Sequence, residues 1–468
     1  MPSICKLYPL PYQADPAFWF RALHRQPGAM LLDSGRPVAT RGRFDILSAW
    51  PREVLLPDAV ETGRKFFERL RLSLNALGPA RFAADVDLPF AGGLLGYLSY
   101  DFGRRLEELP TGAEDDLHLP DGRLGVYDWS LTTDHHAQQC WLVFHPACPE
   151  EKQAYLLGLF EAMAAGESPE LQPSGPWMVA IEDAPGPRPF TLLHDFQPTI
   201  SRDTYRQAIA RIHDYIRSGD CYQVNYTQRF ESAYRGDPWR AYEALRAACA
   251  TPFSGYLNLG DEDAILSLSP ERFIRLQDGH IETRPIKGTR PRGPDAQSDE
   301  ALARQLCEST KDRAENLMIV DLLRNDIGRS SRVGSVHVPE LFSLESYPNV
   351  HHLVSSVRAE LAPGLDAFDL LAGSFPGGSI TGAPKIRAME IIDELEAQRR
   401  SLYCGSLLYI DVRGEMDSSI TIRSLLAKGG RISCWAGGGI VLDSDWEEEY
   451  QESLDKVSVL LKALQAMQ

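Results

Sequence analysis

An Asp278-Gly279 pair sits inside the run AILSLSPERFIRLQDGHIETRPIKGT, residues 264–289. Polar and apolar residues alternate on both sides of it, the pattern of strands with one buried face. Asp-Gly between such runs is a strong signal for a tight β-hairpin, because both central residues of that turn need positive φ. The stretch therefore reads as two strands around that turn. CYQVNYTQRFESAY (221–234) alternates in the same way. Hairpins dominate over strand–helix–strand units, which predicts an α+β protein with large antiparallel sheets packed against helices.

Helical spacing fills the intervals. GRKFFERLRLSLNALG (63–78) places Phe66, Leu70 and Leu74 on one face. CPEEKQAYLLGLFEAMAAG (148–166) is opened by Pro149 and closed by Gly166, and SRDTYRQAIARIHDYIRSGD (201–220) has a serine N-cap and ends at Gly219. Residues 299–328 read as a long helical stretch broken near Ser309. Residues 382–400 read as a helix with Pro384 in its first turn, and a last helix starts at Trp446. Prolines 169, 173, 176, 185, 187 and 189 mark a linker. It divides the chain into an N-terminal region (1–166), a Pro-rich linker (167–199) and a C-terminal region (200–468).

The chain has 65 Asp+Glu against 48 Lys+Arg and a net charge of −17, which argues against a nucleic-acid partner. Local arginines can still focus an anionic substrate in a cleft. Eight scattered cysteines form no CxxC pair, so neither zinc nor redox chemistry is indicated. No signal-peptide pattern and no apolar run of membrane-spanning length occurs, and a cytoplasmic protein is expected.

Several constellations could carry chemistry. Glu449, Glu452 and Lys456 share a helix face, as do Asp312 and Glu315. Such carboxylates suit Mg²⁺, although on spacing alone solvated helix faces are the commoner use. GSFPGGSITGAPK (373–385) reads equally as an anion cradle or as a flexible turn; it lacks P-loop spacing. CWAGGGIVLDSD (434–445) reads as a glycine-rich turn before the last helix. His351 and His352 face opposite sides of a strand. In RPIKGTRPRG (284–293), Lys287 is flanked by Arg284, Arg290 and Arg292, with Arg272 nearby. Those cations, with burial, are expected to depress its pKa and make a neutral nucleophile.

Ten stretches, in order over 201–460, resemble the chorismate-utilising enzyme family: DCYQVNYTQRF, LSLSPERFIRL, TRPIKGTRPRG, DRAENLMIVDLLRNDIGR, HHLVSSV, GSFPGGSITGAPKIRAMEIIDELE, YCGSLLYID, ITIRS, AGGGIV and EEEYQESLDK. The family includes anthranilate synthase large chains, isochorismate and salicylate synthases, and aminodeoxychorismate synthase component I. The resemblance implies the anthranilate synthase component I-like fold, with its large antiparallel sheets packed as a sandwich and helices outside.

The resemblance also implies roles. Glu315 and Glu452, supported by Glu449, match the Mg²⁺ carboxylates. Gly288, Thr289, Thr381, Gly382, Tyr409, Arg423, Gly437, Gly438 and Gly439, with Lys456, match positions that bind the substrate carboxylates. Glu271 matches the general acid for the departing ring hydroxyl, and His352 a histidine near the ring substituents. AMLLDSG and TPFSGYLN match the segments of a feedback tryptophan site, giving Leu32, Ser34, Pro252 and Phe253 as a candidate pocket whose occupancy is left open.

Two positions separate the reactions within the family. Water-adding members use a lysine base where this chain has Gln223, which has no useful pKa. Anthranilate synthases carry alanine where this chain has Lys287, and that lysine resembles the aminodeoxychorismate-forming subgroup. The implied reaction is an amino-group transfer from ammonia to chorismate through a covalent lysine intermediate, giving 4-amino-4-deoxychorismate on the way to 4-aminobenzoate and folate. Ammonia would come from a separate glutamine amidotransferase subunit (component II of such synthases), since no Cys-His-Glu glutaminase motif is present, and an aminodeoxychorismate lyase would act on the product. The alternatives are an anthranilate synthase component I and a non-catalytic subunit that binds chorismate or tryptophan.

Overall fold

The computed structural model describes residues 2–467 apart from 40–41, 169–170, 172–174, 176, 178–187, 261 and 348–349. The expected hairpin forms. Asp278 (φ 51°) and Gly279 (φ 74°) join Arg272–Gln277 to His280–Thr283. The run 264–289 is not two strands but parts of four, because Pro270 and the Arg284-Pro285 step interrupt it. Proline lacks the N–H that a ladder needs.

Two large sheets make the architecture α+β. The first runs from Gln223–Arg235 through Arg431–Ile440, Ser424–Lys428, Asp263–Ser269 and Phe253–Gly260 to Met30–Asp33, Phe44–Ser48, Trp129–Asp134, Gln139–Phe144 and Lys6–Leu10. The second runs from Ile286–Pro291 through Val350–Glu360, His280–Thr283, Arg272–Gln277, Met416–Ser419 and Ser406–Asp411 to Gly93–Leu98, Gly122–Tyr127 and Glu53–Leu55. Their inner faces share one core, in which Met30, Ile265 and Leu426 of the first sheet meet Phe273, Leu407 and Ile410 of the second. The sheets approach so closely at Gly255 that a Cβ there would lie 2.8 Å from Leu407. The other face of the first sheet is covered by helices Glu150–Ala164, Pro238–Ala248 and Trp446–Gln465.

The residues before 167 and after 199 contribute strands to both sheets, so the two portions share one core. Residues 169–170, 172–174, 176 and 178–187 of the Pro-rich stretch lie outside the described residues; Thr191–Leu192 and Gln197–Pro198 pair with Gln223–Arg235. Helices form over the stretches read as helical at 63–78 and 201–220, and the break near Ser309 is found. Gly63–Leu77 is capped by Thr62 and Arg202–Arg217 by Ser201, and Ser309 caps a new helix after the break at that residue. The helix expected over 382–400 is shorter, Lys385–Leu395, and Pro384 is its extended N-cap rather than part of its first turn. The preceding Gly382–Ala383 pairs with Gln223-Val224.

The elements that carry the candidate site are β1 (Gln223–Arg235), β2 (Ile286–Pro291), α1 (Thr310–Gly328), β3 (Val350–Glu360), β4 (Arg431–Ile440) and α2 (Trp446–Gln465). Beside them lies a 3₁₀ turn, Gly378–Ile380.

Candidate active site

Lys287 is placed by a bulge. Between Ile286↔Val354 and Thr289↔His352, β2 has one residue more than β3. The extra length is taken up at Lys287-Gly288, where Gly288 has φ +82°. A bulge of this kind re-aims a side chain and favours glycine at positive φ. A Cβ on Gly288 would lie 2.8 Å from Leu306.

The re-aimed Lys287 is only 14% exposed and meets the carboxylate of Glu315 on α1, with Nζ 3.1 Å from Oε1. Nζ also donates to the carbonyl of Ser379 at 3.3 Å. Burial works to lower the amine's pKa, but Glu315, Glu271 and Glu452 outweigh it and raise the pKa above the ordinary lysine value. This corrects the expectation of a neutral amine kept so by arginines. Each arginine has its own carboxylate: Arg284 pairs with Glu340 and Glu345, Arg290 with Asp312, Arg292 with Asp299, and Arg272 with Asp417 and Glu282.

Glu271 follows Pro270 at the break between two strands and is 7% exposed. Its Oε1 accepts the Ser379 hydroxyl at 3.0 Å. Burial pushes the carboxyl up to about 7, against the opposing pull of Lys287 and of the Ser379 hydrogen bond. A carboxyl with that value donates a proton near neutral pH.

His352 and His351 point to opposite sides of β3, as expected. His352 Nδ1 shares a 2.8 Å hydrogen bond with Thr289 Oγ1, while His351 bonds Ser346 and Asp299. Burial, then Arg423, lowers His352 to about 4, so it is a neutral ring at pH 7. Arg423 has φ 49° and reaches Cys249 Sγ at 3.9 Å.

Gly437, Gly438 and Gly439 do not form a turn. They lie inside β4, paired with Thr227, Tyr226 and Asn225 of β1. Their missing side chains make room. A Cβ on Gly438 would lie 3.0 Å from Glu449 Oε2 and 3.8 Å from Glu452 Oε1, and one on Gly439 would lie 3.1 Å from Glu315 Oε1. Glu449 and Glu452 thus approach Gly438, and Glu315 approaches the adjacent Gly439. Glu449 is buried and accepts Ser444 Oγ at 2.7 Å. Lys456 Nζ sits at the rim, 2.7 Å from Glu452 and 2.8 Å from the Gly437 carbonyl.

The donor set fits a hard divalent cation. It is all oxygen, it comes from two helices, and ammonium groups occupy it: Lys287 at Glu315, Lys456 at Glu452 and Lys311 at 4.0 Å from Glu449. Among the described residues no three acidic, histidine or cysteine side chains stand close enough together to hold a metal ion as they are placed.

Three further expected positions lie outside this group of carboxylates. Thr381 is fully buried and its hydroxyl donates to the Gly377 and Gly378 carbonyls, so it braces the 3₁₀ turn. Gly382 (φ +141°) lies against β1, where a Cβ would meet the Gln223 carbonyl at 2.2 Å. Tyr409 packs edge-on against Phe90 and lines a separate cavity of about 810 Å³. Leu32, Ser34, Pro252 and Phe253 line that same cavity. Ser379 was not singled out from the sequence, where nothing distinguishes it from the other small residues of its loop. Gln223 is fully buried, with neither side-chain polar atom hydrogen-bonded, and Nε2 would lie 2.1 Å from a Cβ on Gly439.

The family model described as chorismate binding enzyme matches residues 30–462. Aminodeoxychorismate synthase component 1 of Salmonella typhimurium is 48% identical over 469 residues, covering 97% of both chains. Its Escherichia coli counterpart is 48% identical over 458 residues, covering 96% of each. Anthranilate synthase component 1 of Thermus thermophilus is 39% identical over 455 residues, covering 96% of this chain and 94% of that protein. Among solved structures, anthranilate synthase component I from Streptococcus pneumoniae superposes with a TM-score of 0.74 at 30% identity, covering 90% of this chain and 93% of that one.

Proposed function

The chain belongs to the chorismate binding enzyme family, and we propose that within it this chain converts chorismate and ammonia to 4-amino-4-deoxychorismate. The observation that carries the reading is Lys287, mostly buried and linked through Ser379 to Glu271. Whole-length likeness to proteins named aminodeoxychorismate synthase component 1 supports it. A long cationic side chain at this position disfavours the anthranilate alternative, in which no protein amine adds to the ring.

Lys287 starts as an ammonium, so it first surrenders a proton to the Glu271 carboxylate. The neutral amine then bonds to the far end of the ring diene. The double bonds shift, and the bond from the ring to its hydroxyl breaks. Glu271 gives its proton to the departing oxygen, which leaves as water. Ammonia bonds to the carbon that lost the hydroxyl, the double bonds shift back, and the bond to Lys287 breaks with its electron pair returning to the amine. The new ring ammonium returns a proton to Glu271. Two displacements place nitrogen at the carbon and on the face that the hydroxyl occupied, and one hard step becomes two easier ones.

Glu315, Glu449 and Glu452 would hold Mg²⁺, which when bound offsets the charge of the ring carboxylate. Arg423 would pair with the enolpyruvyl carboxylate, beside neutral His352 and Thr289. A partner glutamine amidotransferase would deliver ammonia in the cytoplasm, consistent with the component 1 names of the relatives; among the described residues no helix is long and apolar enough to cross a membrane. The separate cavity at Leu32, Ser34, Pro252 and Phe253 is the candidate tryptophan site. Mass spectrometry of small molecules released on denaturation tests its occupancy. The reaction itself is tested by identifying the product from chorismate, Mg²⁺ and ammonium. Formation of anthranilate and pyruvate instead overturns the reading.

A further inference from the structure

We propose that Ser379 is a positioning residue that holds Glu271 and Lys287 in register and leaves only Oε2 of Glu271 free to protonate the leaving hydroxyl. This rests on the roles just given to Glu271 and Lys287, and adds what fixes both of them.

One residue touches both groups. The Ser379 hydroxyl donates to Glu271 Oε1 at 3.0 Å, and its carbonyl accepts from Lys287 Nζ at 3.3 Å. Ser379 is 5% exposed, so water competes little for either bond. A hydroxyl has a single proton to donate. While that proton is directed at Oε1, the acidic proton of neutral Glu271 belongs on Oε2. The serine therefore selects the oxygen as well as the rotamer.

The turn carrying Ser379 is itself held on both sides. Thr381 Oγ1 donates to the carbonyls of Gly377 and Gly378. The Ile380 carbonyl accepts from Arg400 Nη1 at 2.8 Å and from Asn225 Nδ2 at 3.1 Å. Gly378 lies against α1, where a Cβ would be 2.6 Å from Leu322. Neither half of the Ser379 contact can drift without moving buried neighbours.

The groups facing Glu271 are Lys287 from β2, Ser379 from the turn and Cys404, whose thiol burial pushes up to about 12. Of these only Lys287 carries charge at neutral pH. Removing the Ser379 hydroxyl takes away a donor to the carboxylate form, so it raises the pH at which Glu271 loses its proton.

The test compares Ser379→Ala and Ser379→Thr with wild type, using chorismate, Mg²⁺ and ammonium. For Ser379→Ala the expected result is a kcat lower by roughly 10- to 100-fold, the scale of a lost charge-assisted hydrogen bond. The chorismate KM stays within about threefold, and the acidic limb of the kcat–pH profile moves upward. Ser379→Thr, which keeps the hydroxyl, recovers most of both. Wild-type kcat with an unmoved acidic limb in Ser379→Ala overturns the proposal. So does equal impairment of the two variants, which would mean that packing matters rather than the hydroxyl. Glu271→Gln run alongside separates the layers. If it keeps full activity, the acid assignment falls and Ser379 with it; if it is inactive while Ser379→Ala is unchanged, the Ser379 proposal alone falls.

Discussion

Lys287 Nζ lies 3.1 Å from Glu315 Oε1, a mostly buried ion pair between the bulge of β2 and helix α1. The pair means that the nucleophile rests as an ammonium and that a carboxylate suited to a metal is occupied by a protein cation. Turnover must change both. Lys287→Ala should lower ammonia-dependent turnover by at least about 100-fold, the scale of losing a catalytic group. Lys287→Arg should be as inactive, since a guanidinium does not become a neutral amine. Steady-state rates and mass spectrometry of the denatured enzyme after exposure to chorismate and Mg²⁺ check this; full activity in both variants removes the covalent role.

Burial raises the Glu271 carboxyl to about 7, with Lys287 and Ser379 pulling the other way. Lys287 must pass its proton to the Glu271 carboxylate before it can add, so turnover should hold above about pH 7 and fall as pH drops through that value, by roughly tenfold per unit well below it. Glu271→Gln should remove this limb with most of the activity. The same burial has a stability consequence. The folded state binds this proton more tightly than the unfolded chain, so Glu271's contribution to stability declines between pH 4.5 and about 7. A kcat–pH profile and urea midpoints over that range check the two signs.

Chelation of divalent cations should abolish turnover while leaving the circular dichroism unchanged, and added Mg²⁺ should restore it. Glu452→Gln should raise the Mg²⁺ concentration for half-activity by about 10- to 100-fold. Turnover that persists in excess chelator would contradict a metal role for Glu315, Glu449 and Glu452.

Gly288 permits the bulge that aims Lys287. Gly288→Ala meets positive φ and a contact at 2.8 Å to Leu306. It should cost about 1–3 kcal/mol of stability. Turnover should fall by more than the folded fraction does, because Lys287 loses its aim. Thermal melting beside steady-state rates of the folded protein separates the two effects.

Much of the secondary structure was legible because its causes are local. Asp278-Gly279 set a turn, Ser201 capped a helix, apolar spacing marked Gly63–Leu77, and alternation marked β1. The bulge at Lys287-Gly288 was not read from its glycine, although positive φ was available as a signal. Gly437–Gly439 read as a turn because glycine runs usually are; they are a strand that leaves room for carboxylates from two helices. The charge state of Lys287 was misread for a physical reason. Its arginine neighbours are adjacent in sequence, but their partners, such as Glu340, Glu345 and Asp417, are distant in sequence. Sequence proximity counted the like charges and missed the opposite ones. Ser379 stayed invisible because its role comes only from the meeting of Glu271 and Lys287 at its turn.

The most direct measurement is product analysis after incubating the chain with chorismate, Mg²⁺ and ammonium, followed by a lyase that releases 4-aminobenzoate from 4-amino-4-deoxychorismate. The account predicts 4-aminobenzoate that depends on the lyase, with no anthranilate. Fluorescent anthranilate and pyruvate formed without the lyase would contradict it.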